Sequence, residues 1–260
     1  MFKTKFFLVL LFGLSICGSG IILAQQGTED QLYWVREEVA RVDMWQQYEE
    51  TSKQWVEMMT GAELDFPYIR ASQRDDGHYY YLIPLSSYAD IDKFPEIFGS
   101  AIEKIGKEKW GEFMIENEAS IETHKDFIVR WSAKHSYVPK EPRIKIEDAE
   151  FIHWVFFTFK LEKRKEVLDI LAEWKELYEK NNIPDGWSTW IIEIGEKNNM
   201  FAISEIAKDG AGFYAAMKEN SEKLKDEEEK LWEKFSANVI SIEQKFGKPR
   251  PDLGFVKEQK

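Results

Sequence analysis

The sequence predicts an α+β fold of two βαββαβ repeats, whose sheets face each other as a barrel within one chain. The first observation is a recurring aromatic pattern with separations of 120, 119, 122 and 122 residues: Trp34, Trp55, Trp110 and Phe113 are matched by Trp154, Trp174, Trp232 and Phe235. The second is that predicted strands and helices follow the same order in both halves. The third is that several strands, such as residues 154–157, are apolar on both faces, so each sheet needs a covering layer on either side.

Four segments divide the chain. We predict a signal peptide over residues 1–24, a first repeat over residues 27–139, a linker over residues 140–149 and a second repeat over residues 150–256. The linker is rich in charged residues and contains Pro142, whereas the repeats carry the aromatic pattern.

The N-terminus has the composition of an export signal. Lys3 and Lys5 form a basic start, residues 6–24 are mostly apolar, and Ala24 suits cleavage by signal peptidase. This predicts a periplasmic or secreted bacterial protein with no stable membrane insertion after cleavage. The alternatives are a retained N-terminal anchor and lipid attachment at Cys17.

The predicted cleavage also determines the cysteine content and the net charge of the mature chain. Cys17 is the only cysteine, so the mature chain would have no disulfide, no thiolate metal site and no cysteine nucleophile. Residues 1–24 contain two lysines and no acidic residue, so cleavage would change the formal charge from −12 to −14. Because such a surface repels phosphates and the sequence has no basic stripe with interleaved aromatic residues, we expect no nucleic-acid partner.

In the first repeat, runs rich in β-branched and aromatic residues predict strands at residues 32–39, 66–74, 78–85 and 126–131. The sequence Asp75-Asp76-Gly77 predicts the hairpin turn between the second and third strands. The spacing of apolar residues predicts helices after Asp43 and after Asp92, and an amphipathic stretch around Trp110.

In the second repeat, the same order predicts strands at residues 151–159, 187–194 and 200–206, with helices at about residues 167–178 and 212–235. The charged face of the last helix is expected to be solvated. The fourth strand is only weakly indicated, by residues 241–243 and 248–253.

This order of elements is typical of ferredoxin-like folds. The order, the helical Trp and Phe pattern, and the endings Ser-Tyr-Val-Pro (136–139) and Arg-Pro-Asp-Leu-Gly-Phe (250–255) resemble tandem dimeric α/β-barrel proteins. That superfamily includes NIPSNAP and antibiotic-biosynthesis-monooxygenase-like domains. The resemblance covers essentially the whole mature chain and implies the fold. It implies no single function, because the superfamily includes cofactor-independent oxygenases, haem-handling enzymes, isomerases and binding proteins, and the most similar members are exported bacterial proteins of unassigned activity.

Alternation along the strands predicts which side chains face the barrel interior. In the first strand the aliphatic set around Val35 and Val39 suits the helices, so the opposite face is assigned to the interior. The predicted interior residues are Trp34, Arg36, Glu38, Tyr68, Arg70, Ser72, Trp154, Phe156, Thr158, Trp187, Thr189 and Ile191. On the fourth strand the inward face is undetermined, and Arg130 and Trp131 are alternatives.

Six of these residues are the predicted ligand-binding set: Trp34, Arg36, Tyr68, Arg70, Trp154 and Trp187. Aromatic rings and guanidinium groups together suit a small apolar or aromatic ligand, and an anionic one in particular. One alternative is that Arg36, Glu38 and Arg70 neutralise one another in a packed barrel. The other is that the assigned face is shifted by one residue.

Four histidines could supply a haem ligand or a catalytic base. His78 borders a turn and is expected at the surface, and His153 is expected in the core on the helix side. His124 and His135 flank the fourth strand of the first repeat, without a histidine counterpart in the second. Together with Glu38, they are the candidate catalytic residues. Since no metal-ligand spacing occurs, we expect no metal and no cofactor, with haem as the alternative.

The sequence contains no hydrolase, phosphate-loop or dinucleotide motif, so it leaves open whether the protein is an enzyme. The predicted function is binding of a small ligand in the barrel of an exported protein. The alternatives are a cofactor-independent monooxygenase or isomerase-like enzyme, a haem-handling enzyme, and a non-catalytic structural or interaction protein. Since each repeat has its partner within the chain, we expect a monomer, with a homodimer as the alternative.

Overall fold

The computed structural model describes residues 29–195 and 197–257. Within these ranges, eight antiparallel strands close into a barrel that five α-helices cover. The predicted signal peptide, with Cys17, lies outside the described residues. None of the described helices is both long enough and apolar enough to cross a membrane.

The elements follow the predicted order in both halves. The first half contains β1 Gln31–Ala40, α1 Trp45–Gly61, β2 Tyr68–Arg74, β3 His78–Leu85, α2 Phe94–Ile105, α3 Lys107–Ser120 and β4 Ile121–Trp131. The second half contains β5 Phe151–Phe159, α4 Arg164–Lys180, β6 Trp187–Ile194, β7 Met200–Ala207, α5 Gly210–Ser236 and β8 Val239–Pro249, followed by the short β9 Phe255–Val256. The fourth strand of each half begins earlier than predicted. β8 runs without interruption to Pro249, whereas Pro251–Leu253, at the end of the weakly indicated region, form a short 3-10 helix.

Local sequence explains where the helices begin and end. Asp209 caps α5 by accepting a hydrogen bond from the backbone amide of Gly212 at 2.7 Å. Gly106, with φ of 93°, ends α2 and allows α3 to start in a new direction. In the second half, α5 has its own kink at Lys225, with φ of 37° and ψ of −118°.

Both halves have the strand order of a ferredoxin-like sheet, β4-β1-β3-β2 in the first and β8-β5-β7-β6 in the second. The sheets were expected to face each other, and the structure also joins them edge to edge. One seam pairs β4 with β6 and the other pairs β2 with β8. At the second seam, a Cβ atom on Gly247 would lie 1.9 Å from the carbonyl oxygen of Gln73, so this close approach requires glycine.

The core of the described residues consists of a small apolar cluster around Tyr48 and Tyr79 and three larger apolar clusters. Two of them lie between helices and the outer face of the barrel, around Phe66 and Phe94 in the first half and around Phe157 and Phe235 in the second. The third contains strand and loop residues without helical ones: Tyr33, Val35, Tyr80, Val129, Trp131 and Ile192, with Tyr68, Leu82, Phe127, Ala133, Trp190 and Met200 against them. Because no described helix contributes to it, this third cluster marks the barrel interior. Burial of each large apolar side chain contributes roughly 1.5–3 kcal/mol.

The two halves also share backbone irregularities. Residues with positive φ angles occur as three pairs separated by 119, 118 and 119 residues: Glu63 and Asn182 (55° and 48°), Gly77 and Gly195 (83° and 97°), and Gly106 and Lys225 (93° and 37°). These pairs follow α1 and α4, lie in the β2–β3 and β6–β7 hairpins, and interrupt the later helices, respectively. They therefore provide a register between the halves that does not depend on side-chain type.

Candidate functional site

The first strand presents a different face to the barrel interior from the predicted one. Tyr33 and Val35 belong to the interior cluster, and Glu37 continues their face. Trp34 packs outside the barrel against Phe94 of α2, with ring centroids 5.5 Å apart. The predicted interior positions of Trp34, Arg36 and Glu38 are therefore wrong. The observed face agrees with the alternative that the assigned face is shifted by one residue.

The predicted inward faces of β2 and β5 are correct, whereas that of β6 is not. On β2 and β5, the interior face carries Tyr68, Arg70, Trp154 and Phe156. Tyr68 belongs to the interior cluster, and Arg70 lies opposite Leu82 of that cluster in the pairing of β2 with β3. The ring of Trp154 contacts that of Tyr80, with centroids 6.1 Å apart. Ser72 and Thr158 share these faces by alternation. On β6, Trp187 packs on the helix side against Tyr178 of α4, with ring centroids 5.0 Å apart.

The prediction for β6 is thus wrong for Trp187, Thr189 and Ile191, whose face lies outside the barrel. The residues of β6 that face inward are Ser188, Trp190 and Ile192. Trp187 donates its indole N–H to the carbonyl of His135 at 2.9 Å, and Thr189 donates its hydroxyl to the same carbonyl at 2.7 Å. These contacts give Trp187 and Thr189 a structural role in the connection between the halves.

A one-residue error in the matching of the halves explains these misassignments. The β-bulges after Val39 in β1 and after Thr158 in β5 are 119 residues apart, whereas Trp34 and Trp154 are 120 apart. The hairpin glycines indicate a separation of 118 residues for β2 and β6, one fewer than the distance between Tyr68 and Trp187. Because side chains alternate with a period of two, a shift of one residue exchanges the two faces of a strand.

One end of the interior, here called the aromatic end, is formed by Tyr33, Tyr68, Arg70, Trp131 and Trp190. The hydroxyls of Tyr33 and Tyr68 lie 3.3 Å apart, and the guanidinium carbon of Arg70 lies 5.2 Å from the ring centroid of Tyr68. Tyr33 and Trp190 make an edge-to-face contact at 5.7 Å. Burial raises the pKa of the Tyr33 phenol, against the opposing effect of Arg70, so this hydroxyl stays protonated.

Trp131 contributes a buried donor to the aromatic end. The side chain belongs to the interior cluster and is 4% exposed. Its indole N–H is buried and has no hydrogen-bond acceptor among the described residues, whereas the indole of Trp190 donates to the Ser204 hydroxyl at 2.8 Å. A buried donor without a partner costs about 1–3 kcal/mol, so an acceptor atom placed against Trp131 would stabilise the protein.

The opposite end of the interior, here called the charged end, is formed by Glu37, Arg74, His78, Tyr80 and Lys125. Glu37 is its centre, since its carboxylate lies 2.5 Å from His78 Nδ1, 2.9 Å from Lys125 Nζ and 3.8 Å from Arg74 Nη1. Arg74 also donates to the Tyr80 hydroxyl at 2.8 Å. The side chains of Glu37 and Arg74 are 5% and 9% exposed, but those of His78 and Lys125 are 27% and 52% exposed. This end therefore connects a buried carboxylate with the solvent.

Electrostatics keep Glu37 ionised in spite of its burial. Burial raises the pKa of Glu37, but hydrogen bonds from His78 and Lys125 and the positive charge of Lys125 act against it, and the net pKa is lowered. Because an ionised carboxylate only accepts hydrogen bonds, His78 Nδ1 must carry the shared proton. Around this group, Arg74 pairs with Asp76, and Lys245 lies 3.2 Å from Asp76.

At three positions of the charged end, the corresponding residues of the second half are apolar. His78 pairs with Val39 before the bulge of β1, and Met200 pairs with Thr158 before the bulge of β5. By the same register, Glu37 corresponds to Phe156 and Arg74 to Ile192. The first half therefore carries charge where the second half carries apolar side chains.

The predicted catalytic residues Glu38, His124 and His135 do not lie in the barrel interior. Glu38 is on the helix side, where it accepts a hydrogen bond from Tyr48 at 2.9 Å and burial raises its pKa. His124 is exposed on β4, opposite Glu38 in the strand pairing. Arg36, also outside, forms a two-point ion pair with Asp126 with both contacts at 2.9 Å.

His135 lies in the segment after β4 and is buried. Its Nδ1 lies 2.9 Å from the Ser132 hydroxyl, and its Nε2 has no hydrogen-bond partner among the described residues. Burial lowers the pKa of His135 to about 4. His153 has the predicted helix-side position, where it contacts Glu205 at 2.9 Å and Gln244 at 3.1 Å.

Sequence reasoning missed several residues of the two ends: Tyr33, Glu37, Arg74, His78, Lys125 and Trp190. It left Arg130 and Trp131 as alternatives on the fourth strand, and the structure places Trp131 in the interior. For Trp190 the sequence contained a signal, because aligning the hairpin residues Gly77 and Gly195 matches Trp190 to Ser72, which was assigned to the interior. His78 was assigned to the surface because it follows a turn, but its strand pairing places it beside Glu37 at the barrel mouth.

Metal ligation finds no support in the part of the chain that the structure describes, where no group of three His, Cys, Asp or Glu residues could hold an ion. For the haem alternative, an axial base is required. Of the four histidines, His78 is the one that lies at the barrel interior, and its Nε2 points away from Glu37. It replaces His124 and His135 as the residue that could serve a haem in this barrel.

Comparisons with known proteins support the fold. A candidate monooxygenase from Lactobacillus acidophilus NCFM is 10% identical, with a TM-score of 0.54 over 88% of this chain and 97% of that one. An anthrone oxidase-like protein is 10% identical, with a TM-score of 0.57 over 84% and 91%. A candidate monooxygenase from Fusobacterium nucleatum is 14% identical, with a TM-score of 0.52 over 85% and 93%.

No protein-family model and no curated protein matches the sequence. The narrower resemblance to NIPSNAP domains therefore stays a prediction. The structural likenesses show that the chain has the fold of ferredoxin-like dimeric α/β-barrel proteins.

Proposed function

We propose that the protein binds a small aromatic acid at the aromatic end of the barrel. Arg70 would pair with the acidic group, the hydroxyls of Tyr33 and Tyr68 would hydrogen-bond to it, and Trp190 would contact the ring. The predicted ligand residues Tyr68 and Arg70 keep their roles in this proposal, and Trp154 lines the deeper wall. Trp34, Arg36 and Trp187 are replaced by Tyr33, Trp131 and Trp190.

The unpartnered indole N–H of Trp131 is the observation that carries this proposal. The donor is buried in an apolar cluster together with two phenols, beside an arginine on the same interior face. An acceptor oxygen on a ligand would satisfy the donor, while the ring of the ligand would lie among aromatic side chains. This combination favours an aromatic ligand with an oxygen acceptor over an aliphatic one.

Titration with 2-naphthoate, followed by quenching of tryptophan fluorescence, tests the proposal. The natural chain is expected to show saturable quenching. Arg70→Gln is expected to weaken binding roughly tenfold or more, since a hydrogen bond to a charged group contributes about 1.5–3 kcal/mol. Trp131→Phe keeps an aromatic side chain but removes the donor, and is expected to weaken binding by a smaller factor.

Arg36→Gln is the matched control because Arg36 lies on the same sheet but outside the barrel, paired with Asp126. It is expected to bind 2-naphthoate as the natural chain does. Absence of saturable quenching, or equal losses for Arg36→Gln and Arg70→Gln, would contradict the proposal. Mass spectrometry of protein purified from its own source would then identify the natural ligand.

The names of the fold neighbours suggest oxygenase activity as another function. Structural likeness at sequence identities of 10–14% indicates a shared fold but not a shared activity. Ligand binding is therefore the function proposed for this chain.

We also propose that the two halves are copies of one unit within an exported, monomeric protein. The three pairs of positive-φ residues and the equal strand orders support the duplication. The composition of residues 1–24 supports export. Closure of the barrel within one chain supports the monomer, which sedimentation of the mature protein would test.

A further inference from the structure

We propose that the charged end is a second site, separate from the aromatic end, at which His78 removes a proton from a small enolisable carboxylate. This activity goes beyond the ligand binding proposed above, because it depends on different residues at the opposite end of the barrel. Glu37 acts as a positioning residue for His78 and does not contact the substrate.

The geometry of His78 suits a general base. Glu37 accepts a hydrogen bond from His78 Nδ1–H at 2.5 Å, and this contact fixes the orientation of the ring and its tautomer. Nε2, on the opposite side of the ring, then has its lone pair available to accept a proton. The side chain of His78 is 27% exposed, so part of it is in contact with solvent.

The surrounding charges suit an anionic substrate. Lys125 and Lys245, with side chains 52% and 28% exposed, present ammonium groups at the mouth. Each ammonium group contacts an acidic residue: Lys125 Nζ lies 2.9 Å from Glu37, and Lys245 Nζ lies 2.9 Å from Glu243. An incoming carboxylate would join these ammonium groups close to His78.

Comparison with the second half argues against a purely structural role for the cluster. The corresponding positions there are Phe156, Ile192 and Met200, which help to close the same barrel with apolar contacts. A buried ion network is often no more stabilising than apolar side chains of similar size, because the charges lose their hydration. Barrel closure therefore does not account for the choice of Glu37, Arg74 and His78.

The proposed step is a tautomerisation that needs no oxidant or cofactor. His78 Nε2 accepts a proton from the carbon next to the substrate carbonyl, and the electron pair of the broken C–H bond forms a C=C bond. The carbonyl π electrons move to the oxygen, which then receives the proton from the imidazolium. During this step Glu37 stabilises the positive charge on His78, and the product is the enol.

Exchange of the benzylic protons of phenylpyruvate in D2O, followed by proton NMR, tests the proposal. The full chain is expected to accelerate exchange at least tenfold over buffer, since general-base catalysis contributes roughly 10²–10⁴-fold. His78→Gln and His78→Asn are expected to return the rate to that of buffer. Glu37→Gln is expected to give an intermediate rate, because His78 remains but loses its orientation. Circular dichroism of each variant establishes that it is folded.

His124→Gln is the matched control, since His124 is an exposed histidine of the same half and lies outside the interior. It is expected to keep the exchange rate of the natural chain. Exchange at the buffer rate with the natural chain, or unchanged exchange in folded His78→Gln, would overturn the proposal. A Soret band on titration with haemin that depends on His78 would also overturn it, by assigning Nε2 to an iron.

The two proposals fail in different ways. Loss of the 2-naphthoate signal with intact phenylpyruvate exchange would remove only the aromatic-end function. Intact 2-naphthoate binding without exchange would remove only the proton-transfer site.

Discussion

The two halves of the barrel have the same strand order but different interiors. The first half places Glu37, Arg74 and His78 at positions where the second half places Phe156, Ile192 and Met200. Because apolar side chains serve the same barrel on one side, the fold itself does not require charge at these positions. The difference shows that the buried ion pairs around Glu37 belong to the first half, although both halves contribute four strands each to the barrel.

The two halves also differ in the residue type at which their later helices change direction. The first half changes direction between α2 and α3 at Gly106, which adopts a positive φ angle without a steric penalty. The second half bends α5 at Lys225, 119 residues later, with a side chain that makes a positive φ angle unfavourable. The two halves therefore make a similar bend at different energetic cost.

The largest expected effect comes from breaking the charged end at its centre. Glu37→Leu is expected to reduce the free energy of unfolding by about 3–5 kcal/mol, because Arg74 stays buried without its full set of partners and Lys125 loses its acid. Urea unfolding at neutral pH measures this loss. A loss below about 1 kcal/mol would mean that the charged end is already well hydrated.

A transplant of the second-half residues provides the control for Glu37→Leu. The triple variant Glu37→Phe, Arg74→Ile, His78→Met removes the buried charges together and is expected to recover most of the lost stability. The same variant is expected to lose phenylpyruvate exchange. If it is no more stable than Glu37→Leu, the interiors of the halves are not interchangeable and the comparison fails.

A smaller effect is expected from His135, a buried histidine of the first half. Burial lowers the pKa of His135 to about 4, whereas the unfolded chain has the ordinary value of 6.5. Between these values the unfolded state binds more protons, so stability falls as the pH falls from 6.5 towards 4, by up to about 3 kcal/mol. Urea unfolding at several pH values measures this slope.

His135→Asn removes the titrating group and is expected to flatten the pH dependence in this window. His124→Asn, at an exposed histidine of the same half, is expected to leave it unchanged. Parallel pH profiles for the natural chain and His135→Asn would show that His135 is hydrated in solution.

The smallest effects concern the two helix breaks, and they have opposite signs. Lys225→Gly is expected to raise the free energy of unfolding by about 1 kcal/mol by relieving the unfavourable φ angle. Gly106→Ala is expected to lower it by about 1 kcal/mol or more, since alanine is disfavoured at a φ of 93°. Thermal unfolding of both variants measures the difference. Changes of equal sign would mean that the two bends are not equivalent.

Most of the secondary structure could be predicted from the sequence. Strand and helix periodicity placed β3, β5 and β6 at their observed bounds, because these strands have strong apolar patterns between clear turns. The first part of β4 and most of β8 were missed. Their outer residues are exposed and charged, so hydrogen bonding to neighbouring strands, and not hydrophobic patterning, holds them in the sheet.

The site was only half predictable. Tyr68, Arg70 and Trp154 were assigned to the interior correctly, but Trp34 and Trp187 were not. Trp34 was assigned inward because the aliphatic face of its strand was given to the helices and because Trp34 was aligned with Trp154. Trp187 was assigned inward because it was aligned with Tyr68. In each pair the two aromatic residues pack on opposite faces. Aromatic side chains suit either face of a strand that is covered on both sides, so residue type did not reveal the slip.

The sequence alone determined the order of elements, the approximate halves of the chain and the apolar character of the strands, because these depend on local periodicity. Only the tertiary structure decided which face of each strand lies inside the barrel and which side chains meet there. That decision rests on strand register, since bulges and turns shift the pairing by single residues and each shift exchanges the faces. Glu37 and His78 lie 41 residues apart along the chain, and the pairing of β1 with β3 brings them together.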